Sequence, residues 1–284
     1  MIISTDSTAN LPKHLYTDLN INMIPLQIYL DGEIYDDLSP NLPLEDFYKK
    51  MKAGSVPKTA QINEATAREY FEKLLSKNED IIHISFSSAL SGNTPTIIRI
   101  ANELNKNNKN KIHVIDSLNA SMGEGLLVLL AYNLKKQGKS INEIVEIVTK
   151  ARNHTCSFFT VEQLKYLVKG GRINKLKGMV GSLLNIKPIL KVDKTGRLVE
   201  HKKVIARKKS ICELANTCAN KIKDKSYVYI CHAVCEDEAN DLAFKIEKLV
   251  GTKPIITDLT QVIGSHTGPG LLSVFFFDCD TKSL

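Results

Sequence analysis

The chain has 284 residues, of which 43% are apolar and 24% charged, and its formal net charge is +7. This composition excludes an intrinsically disordered protein, and the length favours two domains over a single hydrophobic core. The longest apolar run, residues 125–131, is far shorter than the roughly 18 residues that a membrane-spanning helix needs, so we expect no membrane insertion.

The N-terminal half alternates short β-rich runs with helical patterns, which predicts a mostly parallel sheet flanked by helices. The predicted strands are residues 2–5, 23–29, 80–86 and 112–115. The predicted helices are residues 45–52, 64–76, 94–105, 120–136 and 141–152. A change of pattern at residues 153–157 predicts a boundary between an N-terminal domain, 1–155, and a C-terminal domain, 156–284.

The C-terminal half predicts a second α/β domain, with a mixed sheet. Its predicted strands are residues 156–161, 186–192, 198–204, 227–230, 255–257 and 272–277. Helices are predicted before Lys169 and over residues 209–223 and 237–250. Asp193-Lys194-Thr195-Gly196 is typical of a β-hairpin loop with glycine in the left-handed conformation.

The first residues contain no basic and apolar export signal, so we expect a cytoplasmic protein. Six cysteines are present without a C-x-x-C pair, and reduced thiols are the simpler interpretation. Cys231, His232 and Cys235 lack the tight spacing of a zinc site. We therefore expect no metal.

Positive charge is concentrated in one region. Residues 161–225 hold 17 Lys and Arg against 5 Asp and Glu. Three interpretations stay open: a solvated basic face, docking to an acidic or phosphate-bearing partner, and nucleic-acid binding. The region has Tyr166 as its single aromatic residue, and this scarcity of stacking platforms disfavours nucleic acid.

Common enzyme signatures fail along the chain. Gly123-Glu124-Gly125 lacks the third glycine of a dinucleotide loop, and no G-x-S-x-G nucleophile motif is present. The sequence therefore contains few recognisable catalytic motifs, which favours a binding protein that needs no cofactor.

Small polar residues at the ends of predicted elements form the remaining candidates. Ser91, between a strand and a helix, suits either a helix cap or an anion site shared with the Gly92 backbone. Thr59, in a polar turn, suits either a ligand contact or the turn itself. His266 lies in a glycine-rich loop. Ser91 and His266 also allow an alternative, a serine-dependent lipid or ester hydrolase.

Taken in order, these segments resemble the DegV family of bacterial fatty-acid-binding proteins. The resemblance rests on residues 4–12, 24–26, 31–37, 58–61, 87–92, 115–117, 120–123, 169–173, 181–190 and 265–270. Each motif is weak alone, but their shared order and spacing cover nearly the whole chain.

The resemblance implies two α/β domains with a long-chain fatty acid held between them as the ligand. It implies carboxylate contacts from Thr59, Ser91, the Gly92 backbone and His266. In the family subset that serves fatty acid kinase, a separate ATP-binding kinase subunit phosphorylates the bound acid to an acyl phosphate for phospholipid synthesis.

By the same resemblance, Arg172 and Arg207 match positions that such proteins turn toward the kinase. Residues that line the acyl tunnel cannot be separated from ordinary core by sequence. The candidates are Ile24, Leu26, Ile28, Met122, Leu126, Leu183 and Leu184.

Overall fold

The computed structural model describes residues 1–172 and 187–284. Within them the chain forms two α/β domains, the first built on a parallel sheet and the second on a mixed sheet, as the sequence predicts. The domain boundary after residue 155 stays a prediction. Leu183 and Leu184, two of the predicted tunnel residues, lie outside the described residues.

The N-terminal domain places two sheets among its helices. Its elements are β1 (Ile2–Asp6), α1 (Lys13–Asp18), β2 (Asn22–Ile24), β3 (Gln27–Leu30), β4 (Glu33–Asp36), α2 (Leu44–Ala53), β5 (Lys58–Ala60), α3 (Glu64–Leu75), β6 (Ile81–Ser85), α4 (Asn93–Asn107), β7 (Ile112–Asp116), α5 (Met122–Lys136) and α6 (Ile141–Ala151). The parallel sheet has the order β2-β1-β6-β7, and a small antiparallel sheet has the order β4-β3-β5. Every residue of β1 and β6 is buried, because helices cover both faces of the parallel sheet.

The C-terminal domain contains a six-stranded sheet in the order β10-β9-β8-β13-β11-β12. Its elements are β8 (Thr155–Thr160), α7 (Lys165–Lys169), β9 (Ile189–Val192), β10 (Leu198–Lys202), α8 (Arg207–Lys221), β11 (Asp224–His232), α9 (Glu236–Val250), β12 (Ile255–Asp258), α10 (Gln261–Thr267) and β13 (Leu272–Phe277). Strands β11 and β12 are parallel, and the remaining pairs are antiparallel.

Helix α5 joins the two domains. It packs against β1 and β6 of the first sheet and against β8, β11 and β13 of the second. Its apolar residues from Leu126 to Leu130 are buried on all sides, so the hydrophobic core continues from one domain into the other. The two sheets therefore hold a fixed relation around this helix.

Three local predictions are wrong. The strand predicted at 23–29 is divided at Pro25 into β2 and β3, which belong to different sheets, since proline cannot donate a ladder hydrogen bond. The turn predicted at 58–61 is largely strand β5, which pairs with β3. His266 lies on the short helix α10 rather than in a loop.

Candidate functional site

An apolar pocket lies between the two domains, beside the carboxyl ends of β1, β6 and β7. Its empty volume is about 840 Å³, including the part open to solvent. The larger apolar side chains of its wall are Leu26, Phe86, Leu90, Phe159, Leu167, Val192, Leu198, Leu259, Val262, Ile263, Leu271 and Phe275.

Few of the predicted tunnel residues form this wall. Leu26 lines the pocket. Ile24, Ile28, Met122 and Leu126 are instead buried in the hydrophobic core and do not line it. A core side chain and a tunnel side chain have the same composition, so the sequence does not separate these four from the residues of the pocket wall.

Thr59 and His266 form a hydrogen-bonded pair in the pocket wall. Thr59 Oγ1 on β5 lies 2.8 Å from His266 Nε2 on α10. Both residues are half-buried, and Ser91 lines the same pocket. The structure thus brings together three of the polar side chains that the sequence singled out.

The imidazole of His266 is neutral near pH 7. Burial, with a smaller contribution from the charge of Arg172, lowers the pKa of His266 to about 4. Its buried Nδ1 has no hydrogen-bond partner among the described residues. Gly170 lies against this nitrogen so closely that a Cβ atom there would stand 2.4 Å from Nδ1. A neutral imidazole still donates one hydrogen bond, so the pair offers a donor to a ligand oxygen.

Ser91 and Gly92 precede helix α4. Ser91 Oγ accepts a hydrogen bond from the Asn93 amide at 3.2 Å, and Gly92 is the N-cap residue, without a side-chain cap. The Gly92 amide has no acceptor within residues 1–172 and 187–284. Gly92 lines an adjoining surface depression with Ser91 and Arg172 rather than the pocket itself. Ser91 is therefore both part of a capping turn and part of the pocket wall.

The two arginines lie in different surroundings. Arg172 is exposed at the pocket opening, where its Nε donates to the Leu90 carbonyl at 3.3 Å. Arg207 has a side chain only 13% exposed, and it binds Glu238 through Nη2 at 2.6 Å and the Gly270 carbonyl at 2.7 Å. The docking role stays a prediction for both, and the geometry favours Arg172, because the polar groups of Arg207 are directed into the chain.

A buried carboxyl cluster lies under the pocket. Asp6 accepts hydrogen bonds from the amides of Thr8 at 3.1 Å and Phe86 at 3.1 Å. Thr5 Oγ1 lies 2.8 Å from the Ile84 carbonyl and 2.9 Å from Glu124 Oε1. A protonated Glu124 can donate to Thr5 Oγ1 while the Thr5 hydroxyl donates to the Ile84 carbonyl, so these contacts favour the protonated form. In agreement, burial and the nearby Asp6 raise the pKa of Glu124 well above its usual value.

Residues 37–42 anchor the helix that carries His266. Asp37 Oδ1 accepts from the Val262 amide at 3.2 Å. Gln261 accepts from the Leu38 amide at 3.1 Å and donates to the Leu42 carbonyl at 2.7 Å. These contacts fix the start of α10 against the N-terminal domain.

Asp37 and Glu124 were missed by the sequence reasoning. The one available signal was Glu124 itself, the only charged residue in α5 before Lys135. Asp37 gives no such signal, because its acidic neighbours in the sequence, such as Glu33 and Asp36, are exposed residues of the same type.

The hydrolase alternative needs Ser91 and His266 to form a nucleophile and base. In the structure, His266 Nε2 is engaged with Thr59, and Ser91 Oγ is engaged with the Asn93 amide. Within the described part of the chain, no carboxylate contacts His266 Nδ1 to orient the ring. The arrangement does not favour this alternative.

Residues 1–172 and 187–284 contain no group of three or more His, Cys, Asp or Glu side chains suited to a metal ion. They also contain no helix that is long and apolar enough to cross a membrane.

Comparisons with known proteins agree with this architecture. Residues 1–278 match the sequence model of the DegV family, which carries the description "uncharacterised protein". A DegV domain-containing protein of Clostridium perfringens is 39% identical over 286 residues, which cover 99% of this chain and 98% of that protein.

Two solved structures are similar throughout their length. A fatty-acid-binding DegV family protein from Thermus thermophilus has a TM-score of 0.86 and 27% identity, over 96% of this chain and 98% of that chain. DegV of Bacillus subtilis, a fatty acid binding protein, has a TM-score of 0.84 and 28% identity, over 96% and 97%.

Proposed function

Because this chain belongs to the DegV family, we propose that it binds a long-chain fatty acid in the pocket between its domains. The proposal rests on one observation: a single pocket combines an apolar wall with one group of polar side chains. The wall suits an acyl chain, and the Thr59 and His266 pair with Ser91 suits its carboxylate.

The acyl chain supplies the affinity. A tail of about 15 methylenes gains about 0.8 kcal/mol for each one buried, which is a gross gain of about 12 kcal/mol. Lost freedom of the ligand and ordering of side chains reduce this amount. The affinity is the difference between this gain and these costs.

The head group supplies the orientation. A buried carboxylate is costly unless it accepts hydrogen bonds. Thr59, Ser91 and the Gly92 amide are neutral donors near the pocket opening, and His266 supports Thr59 through the 2.8 Å contact. The carboxylate is then held close to solvent while the tail is buried.

We propose further that this carboxylate is presented to a separate ATP-binding kinase subunit. One carboxylate oxygen attacks the γ-phosphorus of ATP, the new O–P bond gives an acyl phosphate, and ADP leaves. The bases and Mg²⁺ ligands of such a transfer can belong to the partner. The exposed Arg172 at the pocket opening supports this division of labour.

Mass spectrometry tests the binding step. Protein purified from a bacterial host and then denatured should release a long-chain fatty acid in near-equal molar amount. A lipid-free preparation that also fails to bind added palmitate would contradict the proposal. Ser91→Ala should weaken palmitate binding, and a chromogenic acyl ester should not be cleaved by the unaltered protein.

A further inference from the structure

A second, basic groove opens beside the pocket. It has about 1110 Å³ of empty volume, including open solvent, and it shares Thr59, Arg172 and His266 with the pocket. Its other basic residues are Lys58, at the start of β5, and Lys165 and Lys169, one turn apart on α7. We call Lys58, Lys165, Lys169 and Arg172 the basic groove.

The positive charge of the basic groove is not neutralised within the described part of the chain. No Asp or Glu lines it, and none of its three lysines forms an ion pair with a described carboxylate. Lys165 instead lies over the Tyr166 ring, 5.0 Å from its centroid. Asp31 accepts a hydrogen bond from the groove residue Ser55, but it is paired with Lys50 at 3.0 Å.

Four like charges around one concavity repel each other, and an anion would remove that cost. The groove is continuous with the position of the carboxylate, because Thr59 and His266 belong to both cavities. A group attached to the carboxylate oxygen would therefore extend from the pocket into the groove.

From this continuity we propose that the basic groove binds the phosphoryl group of an acyl phosphate whose tail fills the pocket. The inference rests on the proposed fatty acid binding and adds a separate subsite to it. An acidic protein surface or a membrane would contact an open face, whereas these cations surround a concavity that leads to the carboxylate. A compact dianion is the occupant that fits both features.

Calorimetric titration tests the subsite with two probes. One is palmitate, and the other is the stable ketophosphonate analogue of palmitoyl phosphate, in which a methylene replaces the bridging oxygen. The double variant Lys58→Met/Lys169→Met keeps side-chain length and removes two charges. We expect it to weaken binding of the analogue about tenfold and of palmitate less than about twofold. Raising the salt concentration should weaken analogue binding to the unaltered protein and have less effect on the variant.

The matched control is Lys106→Met/Lys253→Met, which removes two exposed lysines that line neither cavity. It should bind both probes as the unaltered protein does. Unchanged analogue affinity in the groove variant, with palmitate still bound, would overturn the subsite and leave fatty acid binding intact. Loss of palmitate binding by the unaltered protein would instead remove the proposed function.

Vesicles of phosphatidylglycerol separate a lipid headgroup from an acyl phosphate. The groove would belong to a membrane surface if the double lysine variant lost vesicle binding but kept its affinity for the analogue. That result would overturn the proposal. Lysine-dependent binding of the analogue, with no binding to vesicles, supports it.

Discussion

Thr59 Oγ1 and His266 Nε2 lie 2.8 Å apart, although 207 residues separate them in the chain. Thr59 belongs to the small antiparallel sheet of the N-terminal domain, and His266 belongs to a helix of the C-terminal half. The polar end of the pocket therefore exists only when the two domains are packed together. Ligand binding should stabilise this packing.

Replacing Thr59 by valine removes the hydroxyl while keeping the shape of the side chain. We expect Thr59→Val to weaken palmitate binding about tenfold, since a hydrogen bond to a charged group contributes about 1.5 kcal/mol or more. Binding of methyl palmitate, which has no charge, should change much less. Competition against a fluorescent fatty acid measures both affinities.

Thr267→Val is the matched control. Thr267 also lines the pocket, but its hydroxyl donates to the Ile263 carbonyl at 3.1 Å within its own helix. Thr267→Val should not alter the preference of the protein for palmitate over methyl palmitate. An equal loss of preference in both variants would contradict the role given to Thr59.

Arg172→Ala should separate ligand binding from turnover. Arg172 lies at the pocket opening, and its charge helps to lower the pKa of His266. We expect the variant to retain palmitate binding, to raise the pKa of His266 in an NMR titration, and to lose phosphorylation by a cognate kinase subunit. Parallel loss of binding and phosphorylation would refute the division of labour.

Acid should destabilise the protein through His266. The folded pKa of about 4 lies below the unfolded value of about 6.5, so the unfolded state binds more protons between these values. Stability is therefore lost as the pH falls from 6.5 towards 4. When the pH is lowered from 7 to 4.5, the free energy of unfolding measured with urea should fall by about 2 kcal/mol less in His266→Gln than in the unaltered protein. Equal losses would show that the imidazole is not held neutral.

Glu124→Gln should be tolerated. The folded pKa of Glu124 is raised, so this carboxyl costs stability as the pH rises above its unfolded value. Glutamine has nearly the same shape and never ionises. We expect the variant to be at least as stable as the unaltered protein at pH 8 in urea unfolding. Glu124→Ala, which leaves a cavity, should lose about 2 kcal/mol or more.

Gly170→Ala should displace the imidazole. A Cβ atom there would stand 2.4 Å from His266 Nδ1, so we expect palmitate affinity to fall about as far as in Thr59→Val. Its neighbour gives the control. Gly171 has a φ of +71° and nothing within 4 Å of a Cβ, so Gly171→Ala strains the backbone by about 1 kcal/mol but should spare the affinity. Weaker palmitate binding by Gly171→Ala than by Gly170→Ala would contradict this packing.

Local chemistry explains the parts of the fold that the sequence predicts well. The hairpin loop after β9 has Gly196 at a φ of +76°, and Asp193 Oδ1 accepts from the Thr195 amide at 2.9 Å. Both features follow from short-range preferences. Long helices such as α4 and α9 are predicted equally well, because their apolar period repeats over several turns.

The wrong predictions involve partners far away in sequence. Strand β5 forms because Thr59 pairs with Ile28 on β3, which a pattern within residues 58–61 cannot show. Helix α10 starts where Asp37 and Gln261 fix it to the N-terminal domain. The resemblance supplied the site residues; composition and spacing alone left Thr59, Ser91 and His266 with equally good structural explanations.

A crystal structure of the protein with palmitate tests the central claim most directly. We expect the carboxylate within hydrogen-bond distance of Thr59 and Ser91, beside His266, and the acyl chain between Phe159 and Leu271. A carboxylate at the opposite end of the pocket, or an acyl chain outside the apolar wall, would contradict the account.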